Sequence, residues 1–312
     1  NLEQKASSAK ASSSNAAKRE EKKYVERDYA RLKKKVAPLK DSAPAPADLS
    51  SRVSNMMRNT RNIAKNAFDN TVGYGVAAYQ SAKTRGHFKK NSGSKDRIVY
   101  LMHGVMQNQG SQWRLAKQLR KSGYQPYHLK GYHNVPRKEG ADKAFQQIEE
   151  FHKKTGLKDA SNRRDYYSGH SSGGDIGIYM ASDKRVKQYG IKEVQARAPA
   201  PHGIEAKTIF QKMLMPLASK DNIKKYEGRE AAVELERRRP KVKVNVVAGK
   251  YDELVTPKNA AYRHANTHYI LHHEDSTHFG TSGVNKGINE VLIELLGPRK
   301  KRGKEPLQFE PE

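Results

Sequence analysis

A predicted strand, a tight turn and a predicted helix follow one another at residues 165–181, and they constrain the fold more than any other stretch. Asp165 to Ser168 has the character of a buried strand, and the apolar stretch from Asp175 to Ala181 predicts a helix. Between them, Gly169-His170-Ser171-Ser172-Gly173 fits the pattern G-x-S-x-G. A serine between small residues at such a turn is typical of a nucleophile elbow, which holds the hydroxyl clear of a sheet. The N-terminus of the following helix favours negative charge beside that serine.

Strands and helices alternate on both sides of this turn. Apolar runs predict strands at residues 97–102, 125–129, 165–168, 191–198, 242–248 and 267–272, and helical spacing predicts helices at 111–121, 141–155 and 284–296. This alternation predicts an α/β fold, a mostly parallel sheet flanked by helices. In such sheets the ligand binds where the strand-exit loops converge at the carboxyl edge, so we expect the reactive side chains in those loops.

Composition divides the chain into segments. Residues 1–50 are rich in Ala, Ser, Lys and charged groups, and they predict a disordered basic tether with a solvated helix within it. Residues 51–94 predict an amphipathic helix and a linker. The folded domain is expected at residues 95–298, with 204–239 as a small cap. Residues 299–312 form a charged tail.

An apolar stripe at helical spacing runs through residues 51–80. Such a helix most often packs its stripe on the neighbouring domain, which we expect here, although a basic amphipathic helix can also lie on an anionic membrane surface. We expect Gly73 and Gly75 to break or kink the helix, and residues 84–96 to form a linker. The stripe consists of Val53, Met57, Ala64, Phe68, Val72, Val76 and Tyr79.

The chain is strongly basic and has no cysteine. Its 312 residues include 60 Lys and Arg against 33 Asp and Glu, a net charge of +27 that is spread along the chain. Such a charge attracts nucleic acid, anionic membrane or acidic polymers, and it also serves solubility. Disulfide and thiol chemistry are excluded, and without a run of about 18 apolar residues we expect no transmembrane segment. The first residue is Asn1, so an upstream signal or anchor could precede it; the compartment stays open, with a soluble cytoplasmic location favoured over export.

A serine nucleophile requires a base, and the base requires a group that fixes its tautomer. His278 is the best candidate base, because it lies between the last predicted strand and the last helix. Asp252 is the best candidate acid, because it lies just after a predicted strand and gives the chain order Ser, Asp, His of the elbow motif. Asp275 and Glu274 are alternatives, although they belong to the loop of His278 itself.

The first predicted strand leads into a second group of candidate residues. A tetrahedral intermediate needs two N–H donors, and we expect them from Ser172 and Val105, with Met106 as the alternative to Val105. We expect His103, Gly104 and Met106 to contact the substrate, because this turn follows the first strand at the same sheet edge.

Other chemistries find little support in the sequence. His170 is expected to pack within the elbow rather than to act as a catalyst. No histidine or carboxylate cluster has convincing metal-ligand spacing, and no nucleotide or flavin fingerprint is present. We therefore expect neither a metal nor an organic cofactor.

The stretch from Arg97 to Leu296 resembles the α/β-hydrolase family, especially its compact lipases and carboxylesterases. The resemblance rests on His103-Gly104, the elbow, the stretch from Gly249 to Pro257 and His278. It implies a serine hydrolase that cleaves carboxylic esters through an acyl-enzyme on Ser171, with a small ester or a lipid as substrate. Residues 204–239 are basic and polar, unlike an apolar lipase lid. The alternative is a catalytically weak protein of this fold that binds nucleic acid or anionic membrane through its basic surface.

Overall fold

The computed structural model describes residues 49–131, 135–157, 160, 162–203 and 232–296. Six parallel strands form one sheet in the order β2-β1-β3-β4-β5-β6. The strands are β1 (Ile98–Met102), β2 (Gln125–His128), β3 (Asp165–His170), β4 (Ile191–Arg197), β5 (Lys243–Gly249) and β6 (Thr267–Leu271). The helices with both ends described are α1 (Leu49–Lys90), α2 (Trp113–Lys121), α3 (Arg137–Thr155), α4 (Ser172–Ser182), α5 (Arg185–Gln188), α6 (Pro257–Ala260) and α7 (Lys286–Glu294), and 3-10 turns lie at Gln109–Gln112 and Gly280–Ser282.

The predicted α/β fold with a mostly parallel sheet is confirmed, and every predicted strand is present to within two residues at each end. The predicted tether, except for its last two residues, lies outside the described residues. The same holds for most of the predicted cap, of which residues 232–237 are helical, and for the charged tail.

The sheet is covered on both faces, which explains why its strands are continuous apolar runs. Along β1, Ile98, Tyr100 and Met102 enter the large core cluster that also contains residues of α3 and α4. The alternate residues Val99 and Leu101 pack on the other face with α2. The sheet is therefore the middle layer of a three-layer domain.

The order of the strands places a crevice beside the elbow. The chain enters the sheet at β1, continues to β2, and then returns to the other side of β1 as β3. Loops that leave neighbouring parallel strands in opposite directions open a crevice at the carboxyl edge. The loops after β1 and β3 therefore flank the candidate site.

Helix α1 differs from the sequence prediction in its length. It runs without interruption from Leu49 to Lys90, so Gly73 and Gly75 do not break it and most of the predicted linker is helical. A Cβ atom on Gly73 would lie 2.4 Å from Trp113 Cδ1 and 2.6 Å from Gly110 O. Gly73 is therefore the point at which the helix approaches the 3-10 turn before α2, rather than a helix breaker.

The amphipathic character of α1 is opposite to the expectation. The predicted stripe was expected to pack on the domain, but Phe68, Val72 and Tyr79 are more than half exposed. The exposed side, here called the outer face, consists of Val53, Met56, Met57, Phe68, Val72, Tyr74 and Tyr79. The buried side, here called the inner face, is mostly polar and consists of Asn59, Asn62, Asn66, Asp69, Gly73, Ala77, Gln80, Ser81, Thr84 and Phe88.

A polar inner face fits its position because α1 lies along the edge of the sheet, where β2 has unpaired backbone groups. The Thr84 hydroxyl donates to the Pro126 carbonyl oxygen (2.7 Å), and Ser81 Oγ accepts from the His128 N–H (3.1 Å). Buried backbone groups require such partners, which apolar side chains cannot supply. The inner face therefore satisfies an edge strand instead of filling a core.

Candidate active site

The turn between β3 and α4 has the geometry of a nucleophile elbow. Ser171 has φ 54° and ψ −123°, a left-handed conformation that is unusual for a residue with a side chain. Space around it is restricted, since a Cβ on Gly169 would lie 2.2 Å from Gly173 O and a Cβ on Gly173 would lie 2.6 Å from His103 O. The Ser171 N–H donates to Arg197 O on β4 (2.8 Å). The turn is thus strained, tightly packed and fixed to the sheet.

The structure brings the three predicted catalytic residues together in one line of hydrogen bonds. His278 Nε2 lies 3.1 Å from Ser171 Oγ, and His278 Nδ1 lies 2.9 Å from Asp252 Oδ2. The carboxylate accepts from Nδ1–H, which leaves Nε2 as the acceptor for the serine hydroxyl. Asp252 Oδ1 also accepts from the N–H groups of Leu254 (3.0 Å) and Val255 (2.7 Å), which fix the carboxylate after β5.

The alternative acids are occupied elsewhere or exposed. Asp275 Oδ1 accepts from the Arg61 guanidinium, and Asp275 Oδ2 accepts from Asn285 Nδ2 (2.7 Å). Glu274 is exposed. The geometry therefore favours Asp252 over both as the partner of His278.

The turn after β1 lies directly against Ser171. A Cβ on Gly104 would lie 2.8 Å from Ser171 Cβ, so only glycine permits this approach. The Gly104 N–H already donates to Gln107 Oε1 (2.8 Å), which leaves the next N–H groups, those of Val105 and Met106, as the candidate donors to an oxyanion. Met106 has φ 60° and is 46% exposed at this turn.

The two histidines beside the elbow are committed to backbone and amide groups. His103 Nδ1–H donates to Gly104 O (3.0 Å), and His103 Nε2 accepts from the Gly131 N–H (3.1 Å); burial lowers its pKa to about 4. His170 is buried between Gln107 Oε1 (2.9 Å) and His278 O (2.8 Å). Both neighbours are acceptors, and burial holds the pKa of His170 well below its usual value, so the neutral ring donates to one of them.

Helix α1 holds both loops of the site, which the sequence did not predict. Asn66 Oδ1 accepts from Gln107 Nε2 (2.8 Å), which ties α1 to the turn after β1. Asn62 Nδ2 donates to Thr277 Oγ1 (3.0 Å), beside His278. Asparagines recur in α1 every three or four residues, at positions 55, 59, 62, 66 and 70. An uncharged amide stripe opposite an apolar stripe was the signal that could have revealed this face.

A positive charge is buried beneath the elbow. Arg197 on β4 is fully buried and pairs with no carboxylate among the described residues. Its Nη1 donates to Thr281 O (2.9 Å), and burial lowers its pKa to about 9. The guanidinium thus connects the strand behind Ser171 with the segment that follows His278.

Within the described ranges, no group of three or more His, Cys, Asp or Glu residues is arranged to hold a metal ion. The structure places a hydroxyl, an imidazole and a buried carboxylate in one hydrogen-bonded line, an arrangement with which acyl transfer is chemically feasible.

Comparison with known proteins identifies the fold. No protein-family model and no curated protein sequence matches the chain. Solved structures do match, and the first of those described below, together with the parallel sheet, shows that the chain has the α/β-hydrolase fold. One is the mature form of the lipase BlEst2 from Bacillus licheniformis, with a TM-score of 0.50 and 14% identity over 64% of this chain and 92% of that chain. Another is a lipase-esterase related protein from Clostridium acetobutylicum, with a TM-score of 0.46 and 15% identity over 64% and 95% of the two chains.

Proposed function

We propose that this protein is a serine hydrolase that cleaves carboxylic esters. The observation that carries the proposal is the line of hydrogen bonds from Ser171 through His278 to Asp252, which starts at a strained elbow. A serine hydroxyl needs both an acceptor for its proton and an orienting acid, and this line supplies both.

The proposed reaction proceeds in two halves. Ser171 Oγ attacks the ester carbonyl carbon while its proton passes to His278 Nε2, and Asp252 stabilises the resulting imidazolium. The tetrahedral intermediate collapses, and His278 returns the proton to the departing alcohol. Water then attacks the acyl-Ser171 ester with His278 as base, which releases the carboxylic acid and restores the hydroxyl.

The oxyanion of each tetrahedral intermediate is assigned to two backbone donors. The first is the N–H of Ser172 at the start of α4, where the helix dipole adds to the hydrogen bond. The second is the N–H of Val105, with Met106 as the alternative. Gly104 supports this assignment, because its N–H is already engaged and its missing side chain leaves room beside Ser171.

The substrate contacts are proposed for the same turn. Gly104 borders Ser171, and the exposed Met106 lies two residues later in the same turn; both would meet the acyl or alcohol group. His103 acts indirectly in this proposal, because its two ring nitrogens tie the loop after β1 to the loop after β2.

The test is hydrolysis of p-nitrophenyl esters from acetate to long acyl chains, together with fluorophosphonate labelling. Wild type should turn over the esters and take up the label, and Ser171→Ala should lose both. Ser182→Ala at the far end of α4 is the matched control and should retain both. Labelling that persists in Ser171→Ala would contradict the assignment of the nucleophile.

A further inference from the structure

The exposed large apolar side chains of this protein are concentrated on one helix. Among the described residues, the only one that lies outside the outer face of α1 is Met106. The side chains of the outer face are 44–67% exposed, and they extend from Val53 to Tyr79, about 40 Å along the helix. Apolar surface of this extent is uncommon on a protein that stays free in water, and it marks an interaction surface.

The charge of α1 is complementary to an anionic partner. The only acidic residue of the helix, Asp69, is buried and accepts from Arg114 Nε (2.9 Å) and Trp113 Nε1 (2.9 Å). Lys83, Lys89 and Lys90 are exposed. The solvent side of the helix therefore combines apolar groups with positive charge and presents no carboxylate of its own.

The combination of apolar groups and positive charge on α1 discriminates among three kinds of partner. A second copy of the chain would bring positive charge against positive charge, which disfavours the pairing. Nucleic acid would meet the lysines but would leave the aliphatic and aromatic stripe without an apolar contact. A lipid surface with anionic headgroups satisfies both, because apolar side chains enter the acyl boundary while lysines remain among the headgroups.

We propose that the outer face of α1 binds the surface of anionic lipid membranes, with the helix lying in the plane of the interface. The inner face is already bonded to the domain, so the helix need not detach to bind. Asn70 Nδ2 donates to Met106 O (3.2 Å), so the binding surface adjoins the turn beside Ser171. No described helix is long and apolar enough to cross a bilayer.

The test uses the full chain and co-sedimentation with vesicles. Wild type should bind phosphatidylcholine vesicles that contain about one third phosphatidylserine, and bind pure phosphatidylcholine at least tenfold more weakly. Phe68→Ser with Val72→Ser should lower the partition coefficient on anionic vesicles about tenfold or more, because two exposed apolar side chains are lost. Because Phe68 and Val72 are exposed, their replacement should leave the thermal unfolding temperature unchanged, and this is measured on the same samples.

Charge variants provide a matched comparison. Lys83→Glu with Lys89→Glu should weaken binding strongly, and added salt should weaken the binding of wild type. Lys184→Glu with Lys187→Glu makes the same change in net charge around α5, which packs against β4 and α4, and should have a much smaller effect.

Several results would overturn the proposal. They are an absence of vesicle binding at low salt, vesicle binding that survives Phe68→Ser with Val72→Ser, and equal losses in the two charge variants. If wild type bound no vesicles but formed a dimer that Phe68→Ser with Val72→Ser dissociates, the outer face would instead be the contact with a second copy of the chain. Vesicle binding does not depend on the proposed hydrolysis, and Ser171→Ala should bind as wild type does.

Discussion

Removing the side chain of Gln107 should cost both stability and turnover. Gln107 Oε1 accepts from the Gly104 N–H, and Gln107 Nε2 donates to Asn66 Oδ1. Gln107→Ala leaves these two polar groups without this partner, at about 1–3 kcal/mol each, and it also removes the acceptor that lies 2.9 Å from His170 Nδ1. Because Gln107 is 9% exposed and water can enter, we expect a loss of about 2–4 kcal/mol in the free energy of unfolding.

The effect on catalysis should be separable from the effect on stability. Loss of one oxyanion donor typically lowers kcat about 10²–10³-fold. In Gln107→Ala the turn after β1 keeps its N–H donors but loses the side chain that holds it, so we expect kcat to fall about tenfold. Asn66→Ala leaves Gln107 bonded to Gly104, so we expect about 1 kcal/mol lower stability and nearly unchanged kcat. Combining the two substitutions gives their coupling energy, which should be about 0.5–3 kcal/mol for groups in contact.

The assays are urea unfolding and p-nitrophenyl ester hydrolysis on folded samples of the four proteins. The reasoning would be refuted if Gln107→Ala kept the wild-type kcat. It would also be refuted if Asn66→Ala lowered kcat more than Gln107→Ala, since Asn66 acts only through Gln107 in this account.

Three further predictions concern stability. Gly73→Ala should lower the free energy of unfolding by about 1–3 kcal/mol, because the added Cβ overlaps Trp113. Gly75→Ala should raise it by about 0.5–1 kcal/mol, because its Cβ would meet nothing within 4 Å and alanine favours the helix. Urea unfolding of both variants tests the packing of α1. Burial lowers the pKa of His152 to about 4, below the value of about 6.5 in the unfolded chain, so the neutral buried ring contributes its full stability above pH 6.5 and loses it as the pH falls toward 4. In His152→Gln, the free energy of unfolding plotted against pH should therefore be flatter in this window by about 1 kcal/mol per pH unit. Arg197→Met removes a buried charge that has no carboxylate partner among the described residues, but it also leaves Thr281 O without its donor; the two effects oppose each other, so the free energy of unfolding at pH 7 should change by less than about 2 kcal/mol, and a larger loss in the same assay would contradict this account.

The parts of the fold that the sequence predicts well are those encoded by local patterns. Continuous apolar runs such as that of β1 mark strands covered on both faces, and the small residues around Ser171 mark the elbow. The meeting of Ser171, Asp252 and His278 followed from their places just after strands of one parallel sheet. Their catalytic role stays a prediction until turnover is measured.

The parts that the sequence did not predict depend on tertiary neighbours. Helix α1 was expected to bury its apolar stripe, because that is what usually stabilises a helix on a domain. Here the neighbouring surface is the edge of β2 and two loops, whose backbone and side-chain polar groups require polar partners. Gln107 and Asn62 gave no signal of their own, because an amide acquires its role only from the groups that it meets.

The contacts of α1 also have a consequence for how the chain folds. Arg61 and Asn62 bind Asp275 and Thr277, residues more than 200 positions later. During synthesis the helix leaves the ribosome before these partners, which are made more than 200 residues later. Contacts of such long sequence separation slow folding, because a large loop must close before they form. The docking of helix α1 is therefore completed only after the segment that contains Asp275 and Thr277 has been synthesised, and until then Arg61 and Asn62 lack these partners.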